Sequence, residues 1–215
     1  MGCLGLVILI LVSLPLLFIL IFFDVLSISL SKLGLTPELA LILLCAMILG
    51  SVINIPLSRR RIVYEQNQPF YRRFFFYRPP QVSYQVVALN VGGALIPIGF
   101  AIYLLPKAPL LPTLIATAVL IIVTRLLSKP VKGVGITLPF LIPPLTSAGL
   151  AFLLAGENPA PVAYISGTVG TLIGADLLNW PNFKKLGAHL ISIGGAGMFD
   201  GIFLSGIMAA LITSF

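Results

Sequence analysis

The stretch GTLIGADLLNWPNFKKLGAHLISIGGAGMFDGIFLSGI, residues 170–207, decides how this chain is read. Two apolar runs flank a polar break, NWPNFKKLG, and each run carries a single acid, Asp176 in the first and Asp200 in the second. With the residues on either side, the runs cover about 160–179 and 189–213. Each reaches the ~20 residues that a helix needs to cross a ~30 Å hydrocarbon core. An ionisable group in hydrocarbon is costly unless it is paired or hydrated, so both acids mark functional positions.

The rest of the chain has the same character. Hydrophobic residues make up 59% of the sequence and charged residues only 9%, against roughly 25% charged in soluble domains. Five further runs, at about 4–24, 37–56, 84–105, 110–127 and 134–155, are separated by Gly, Pro and basic clusters. The expectation is an all-α, polytopic transmembrane helical bundle of about seven spans, a single integral membrane domain over 1–215. Continuous apolar runs exclude a β-barrel, whose strands alternate in period two. The first run has no basic segment ahead of it and no A-x-A site after it, so it reads as a retained helix. Cys3 and Cys45 show no metal-ligand spacing and read as packing residues; no metal or cofactor is expected.

Basic residues orient the bundle. Arg59, Arg60, Arg61, Arg72, Arg73, Arg78, Arg125, Lys129, Lys132, Lys184 and Lys185 fall at the connections after spans two, four and six, leaving only Lys32 and Lys107 opposite. The positive-inside rule puts the first set, and the N-terminus, in the cytoplasm of a prokaryotic inner or internal membrane. The segment 58–83 mixes six arginines with Phe and Tyr. It reads as an interfacial loop, with Arg59, Arg60, Arg61, Arg72, Arg73 and Arg78 on anionic headgroups. The net charge of +7 is spread over such loops, and no nucleic-acid partner is expected. Arg125, near the end of its span, reads as snorkelling to the headgroups.

Several runs are interrupted at membrane depth. Asn90, Gly92 and Gly93 lead into Pro97, and Gly194, Gly195 and Gly197 open the last run. Non-helical backbone is tolerated there only where protein or water satisfies it, so these residues, with Asn179, are candidate linings of a substrate-binding cavity. Asn54, Asn90 and Asn179 also serve as interhelical hydrogen-bonding groups. The tripeptide GGA recurs at 92–94 and 194–196. Segments 37–105 and 110–155 share an outline of apolar helix, Leu-Ser-basic junction and Gly/Pro-rich second helix, which hints at a hairpin repeat.

The two acids belong to one leaflet. If the last span were continuous helix from His189, Asp176 and Asp200 would lie at depths of about 5 Å and about 16 Å. An unwound entry over 193–197 removes that mismatch and puts Asp200 in the first turn of the true helix. Two carboxyls in contact share one proton; the charged member can take a proton from water while the other donates to an amide carbonyl, which needs no metal. Small-residue stripes at Ser166, Gly170 and Gly174, and at Gly197, Gly201, Ser205 and Ala209, suit close helix approach. On an ideal helix, however, Asp176 points about 120° away from the line of Gly170 and Gly174.

Consecutive helices each bearing an aspartate, with a glycine-rich entry to the second, resemble the GxGD aspartyl intramembrane proteases. That resemblance implies Asp176 and Asp200 as the catalytic pair, with Gly195 and Gly197 in the entry. The sequence departs from the pattern in placing Met198 and Phe199 between glycine and aspartate, in having Ala175 ahead of the first aspartate, and in lacking a Pro-Ala-Leu motif. Across nearly its whole length, through NVGGALIP, SKPVKGVGI, GADLLN and IGGAGMFDGIFLSGI, the chain is similar to an uncharacterised bacterial and archaeal multi-pass family, the domain of unknown function numbered sixteen-fourteen. That similarity implies no activity.

The functional expectation is therefore an intramembrane aspartyl protease, with residues 160–215 as the two-aspartate helix pair and a transmembrane peptide as substrate. Two readings stay open beside it: a proton- or cation-coupled carrier using the same acids, and a non-catalytic subunit of a membrane complex.

Overall fold

A computed structural model describes residues 13, 17, 20, 21, 23–25, 27–31, 33–64, 81–131, 135–186, 190–195 and 201–213. After helical residues at 27–31, Thr36 caps the first full helix, α1 (Pro37–Gly50), accepting the Leu39 N–H with Pro37 in the first turn. The helix ends at Ser51, whose hydroxyl turns back on the Ile48 carbonyl, and the β-branched Val52 and Ile53 lead into strand.

Here the expectation of an all-α bundle is corrected. Strands β1 (Asn54–Tyr64) and β2 (Gln81–Asn90) form a long antiparallel hairpin, in register from Asn54 opposite Asn90 to Tyr64 opposite Gln81, with an irregularity between Pro56 and Ser58. Pro56 donates no N–H to a ladder, and it stands on the edge strand, where that is tolerated. A helix from Val91 to Lys107 follows. It opens with a π turn (Val91–Leu95) and continues as α2 (Ile96–Leu104).

Helix α3 (Leu110–Leu127) leads to a small hairpin of β3 (Lys129–Val131) and β4 (Gly135–Thr137). Helix α4 (Ile142–Leu154) carries Pro143 and Pro144 in its first turn, where the missing N–H groups cost nothing. The longest helix, α5 (Pro159–Phe183), begins as α-helix, contains π turns at Ser166–Gly170 and Leu172–Asp176, and finishes as a 3-10 segment, Leu177–Lys185. Then come β5 (Leu190–Ile193) and α6, described over Gly201–Ile212. Strand β5 runs parallel to β2, giving a mixed sheet of order β1-β2-β5.

The structure is thus mostly helical, with strands at the connections. Of the seven expected spans, 110–127 and 160–179 appear as continuous helix. Among the described residues, helices α3 and α5 are the two that are long and apolar enough to cross a membrane. Runs 37–56, 84–105, 134–155 and 189–213 each pass between strand and helix, and run 4–24 lies largely outside the described residues. The difference has a physical cause. Segment 81–90, QVSYQVVALN, is apolar enough to count as span but alternates, which suits a pleated strand better than a helix. The expected helix–junction–helix outline does recur: α1 and the helix from Val91 flank one β-hairpin, and α3 and α4 flank another.

Helices α3, α4, α5 and α6 pack on one another through a seam of small residues, Ala116, Ala151, Ala163 and Ala209, all fully buried. A second cluster joins Leu44 and Met47 of α1, Phe100 and Leu104 of α2, Tyr164 and Ile207. Phe100 meets Tyr164 edge to face with centroids 5.0 Å apart. Outward, Ile42, Leu49, Ile102, Leu111, Leu126 and Leu153 are exposed, an apolar exterior that fits membrane association. Cys45, expected inside, also lies on this exterior.

The connections gather at two ends. At one, Lys107 Nζ donates to the Leu33 carbonyl and Asn158 Nδ2 to the Lys107 carbonyl. At the other, the glycine of the π turn enters α1: a Cβ on Gly92 would collide with the Met47 carbonyl and the Ser51 nitrogen. Gly149 on α4 has open space around it. Gly92→Ala should therefore destabilise the fold by about 1–3 kcal/mol, while Gly149→Ala should be neutral or stabilising by about 0.5–1 kcal/mol. Unfolding of the two variants in detergent checks this, and equal stabilities would refute the close crossing.

Candidate functional site around Asp176 and Asn90

Three chain breaks meet at the strand-bearing end: the stop of α1, the start of the helix at Val91, and the turn after β5. Asn90, almost wholly buried, serves the first two directly and is linked to β5 through Asn54. Its Oδ1 accepts the Gly93 N–H at 2.7 Å, capping the π turn. Its Nδ2 donates to the Ser51 carbonyl at 2.7 Å and to Asn54 Oδ1 at 3.2 Å. Asn54 Oδ1 also accepts the Ser192 hydroxyl at 2.7 Å, and the Val91 N–H reaches the Ile53 carbonyl at 3.0 Å. Only an amide side chain offers an acceptor to one neighbour and donors to others at such a point.

The turn after β5 is built from glycine for a reason. Gly194 and Gly195 have φ of 86° and 82°, the left-handed region that side chains rarely adopt. Space forbids a side chain as well. A Cβ on Gly194 would lie 2.8 Å from the Ala94 nitrogen, and one on Gly93 would strike the Gly194 carbonyl. The two GGA copies therefore touch, one wound as a π turn and the other reversed through left-handed glycines; they share composition, not conformation.

Asp176 closes the second π turn of α5 and is half-buried. Its Oδ2 accepts the Gly194 N–H at 2.8 Å, tying the end of α5 to the entry of the last run. The direction agrees with the angular reading of the sequence. The Gly170 and Gly174 stripe faces α3, where a Cβ on Gly170 would lie 2.9 Å from that of Leu120 and one on Gly174 would meet Thr124 Oγ1. Thr124 Oγ1 donates across this seam to the Gly170 carbonyl at 3.2 Å. Asp176 points elsewhere, to Gly194.

The sequence-derived site residues thus divide into three groups. Asn90, Gly92, Gly93, Gly194, Gly195 and Asp176 come together at this junction. Asn179 does not join them. It is fully buried, bonds to the Ala175 carbonyl and to Ser128 Oγ, both at 2.7 Å, and accepts from Arg125 Nη1 at 2.6 Å. One N–H of the half-buried Arg125 guanidinium is accordingly fixed by Asn179. Asp200 and Gly197 lie outside the described residues, as do Arg72, Arg73 and Arg78. Arg59 is exposed on β1, while Arg60 and Arg61 continue that strand.

Sequence reasoning gave Asn54 only a generic bonding role and passed over Ser192 and Gln85. The signal was present in the pairing: Asn54 and Asn90 face each other at the open end of a hairpin, and Gln85 is a polar position within the alternating strand. Its buried amide donates to the Phe183 carbonyl at 2.9 Å, anchoring β2 to the end of α5.

Comparison with family models matches residues 48–212 to the protein of unknown function family DUF1614, and the chain belongs to that family. The matched region runs from the end of α1 to the end of α6 and includes both acids, every strand and the whole junction. No curated protein and no solved structure matches the chain.

Asn90→Ala would leave the Gly93 N–H and the Ser51 carbonyl without their side-chain partner, at an expected cost of about 1–3 kcal/mol. Faster amide exchange at Gly93 should accompany it. Unchanged melting and exchange would show that the junction is held by something else.

Proposed function

We propose that this chain is a polytopic membrane protein, with its N-terminus and strand-bearing end in the cytoplasm of a prokaryotic inner or internal membrane, that hydrolyses membrane-embedded peptides with Asp176 and Asp200. The observation that carries this reading is the bond from the Gly194 N–H to Asp176 Oδ2. It joins the helix bearing the first acid to the broken entry of the run bearing the second. The last run is strand to Ile193 and left-handed at Gly194 and Gly195, with helix described from Gly201, one residue beyond Asp200. A continuous helix from His189 would hold the acids at unequal depths; this entry removes that obstacle.

In this reaction one proton is shared between the carboxyls. The ionised member takes a proton from the attacking water as its oxygen bonds to the amide carbon, and the protonated member donates to the carbonyl oxygen. As the tetrahedral intermediate collapses, the carboxyl that took the water proton gives it to the leaving nitrogen, the C–N bond breaks, and a hydroxyl proton of the intermediate returns to the other carboxylate. Asp176 is suited to such work by being half-buried and fixed at one oxygen. The exposed Arg59, with the other arginines of 58–83, would hold the hairpin to anionic headgroups.

A second reading is favoured by a different observation: three discontinuities, at Gly50, Asn90 and Gly194, converge at one end, as in carriers whose broken helices surround an ion site. One set of vesicles separates the two. Purified protein supplied with a single-helix peptide should cut it near the cytoplasmic face, and Asp176→Asn or Asp200→Asn should each slow cutting by about 10²–10⁴-fold. Asparagine retains an oxygen for the Gly194 N–H, so folding should persist. Full cleavage by either variant refutes the dyad. Proton or cation flux without cleavage, lost in the same variants, establishes the carrier instead.

A further inference from the structure

Arg125 carries its charge against a neutral partner. One N–H of its guanidinium goes to Asn179 Oδ1; among the described residues no carboxylate pairs with it. Asp176, three residues before Asn179, turns to Gly194 instead. Nor is the guanidinium loosely placed. Asn179 is itself held by Ser128 Oγ and the Ala175 carbonyl, and its Oδ1 also accepts the Asn182 amide at 3.1 Å. A neutral, fully buried partner thus orients the cation without discharging it, leaving further N–H donors in a planar fork that matches phosphate oxygens.

The surroundings are basic and greasy at once. Ser128 Oγ caps back onto the Arg125 carbonyl, and the next residue, Lys129, is exposed at the start of β3. That strand packs on the Leu177–Lys185 turn. Beside the polar cluster, Ile122 and Leu126 of α3 and Leu177 and Leu178 of the turn are exposed. A dissolved anion has no use for such an aliphatic rim, whereas an acyl chain does.

We propose that Arg125, aimed by Asn179 and assisted by Lys129, binds the phosphate of an anionic phospholipid headgroup, with an acyl chain lying along Ile122 and Leu126. This site is separate from the Asp176 junction and from the arginine-rich loop. It rests on the membrane reading above but not on hydrolysis, so loss of the proteolytic reading leaves it standing.

Native mass spectrometry of the full chain, equilibrated with phosphatidylglycerol or phosphatidylcholine, tests it. The wild type should retain phosphatidylglycerol about fivefold or more in preference. Arg125→Gln, which keeps an N–H for Asn179, should lose most of the preference; Arg125→Lys should retain part of it; and Arg59→Gln, one of several headgroup-facing arginines on the hairpin, should cost distinctly less of it. Undiminished preference in Arg125→Gln overturns the site, as does equal loss in Arg59→Gln. Should Arg125→Gln fail to fold, Lys129→Gln decides: reduced preference supports the site and unchanged preference overturns it. Inorganic phosphate that stabilises the protein in neutral lipid as well as phosphatidylglycerol does would overturn the lipid assignment. A chain recovered in the soluble fraction would instead overturn the membrane reading itself.

Discussion

The strand-bearing end of this molecule depends on one side chain making three kinds of hydrogen bond. Where a helix stops, its last carbonyls lose their partners, and where a helix starts, its first N–H groups do. At the junction of α1, β2 and the helix from Val91 both events occur within one buried volume. Asn90 answers a freed carbonyl at Ser51, a freed N–H at Gly93 and the amide of Asn54 together. Without it the breaks could not be stacked at one level, and each would have to move outward to find water.

Close approach of backbones makes that stacking geometrically feasible. Gly92 admits the end of α1, Gly93 admits the Gly194 carbonyl, and Gly194 leaves room for Ala94. The same economy appears between helices, where a Cβ on Gly174 would strike Thr124 and one on Gly206 would come within 3.2 Å of the Tyr164 ring. A bundle with an apolar exterior gains little by hiding apolar area between helices. It gains by contact and by interhelical hydrogen bonds such as that from Thr124 to Gly170. The small residues and the buried hydroxyls are therefore two parts of one solution.

How much of this was legible in the sequence follows from which signals are local. The helices at 110–127 and 160–179 are long uninterrupted runs, and they appear as such. The interruptions at Asn90 and at Gly194-Gly195 were legible too, because glycine pairs and a lone amide among apolar residues have few uses. Strand was not legible: in a composition this apolar, the alternation of QVSYQVVALN is swamped by its total hydrophobicity. Nor could spacing alone reveal that β2 pairs in parallel with β5 across a separation of a hundred residues. The bond between Arg125 and Asn179 was hidden for a related reason. Each has an ordinary solitary role at a helix end, and only the fold brings α3 and α5 close enough for them to meet.

The strands also change where chemistry can occur. A 14-residue helix such as α1 rises about 21 Å, short of a ~30 Å hydrocarbon core. The shortfall falls on the side where α1 gives way to β1. In a bilayer that level is then occupied by strand ends, left-handed glycines and the amides of Asn54 and Asn90 rather than by side chains of helices. A carboxylate at that level is surrounded by hydrogen-bonding backbone, and it is half-open rather than sealed. Asp176 stands there. Its burden of desolvation is eased by the broken backbone beside it, through the Gly194 N–H.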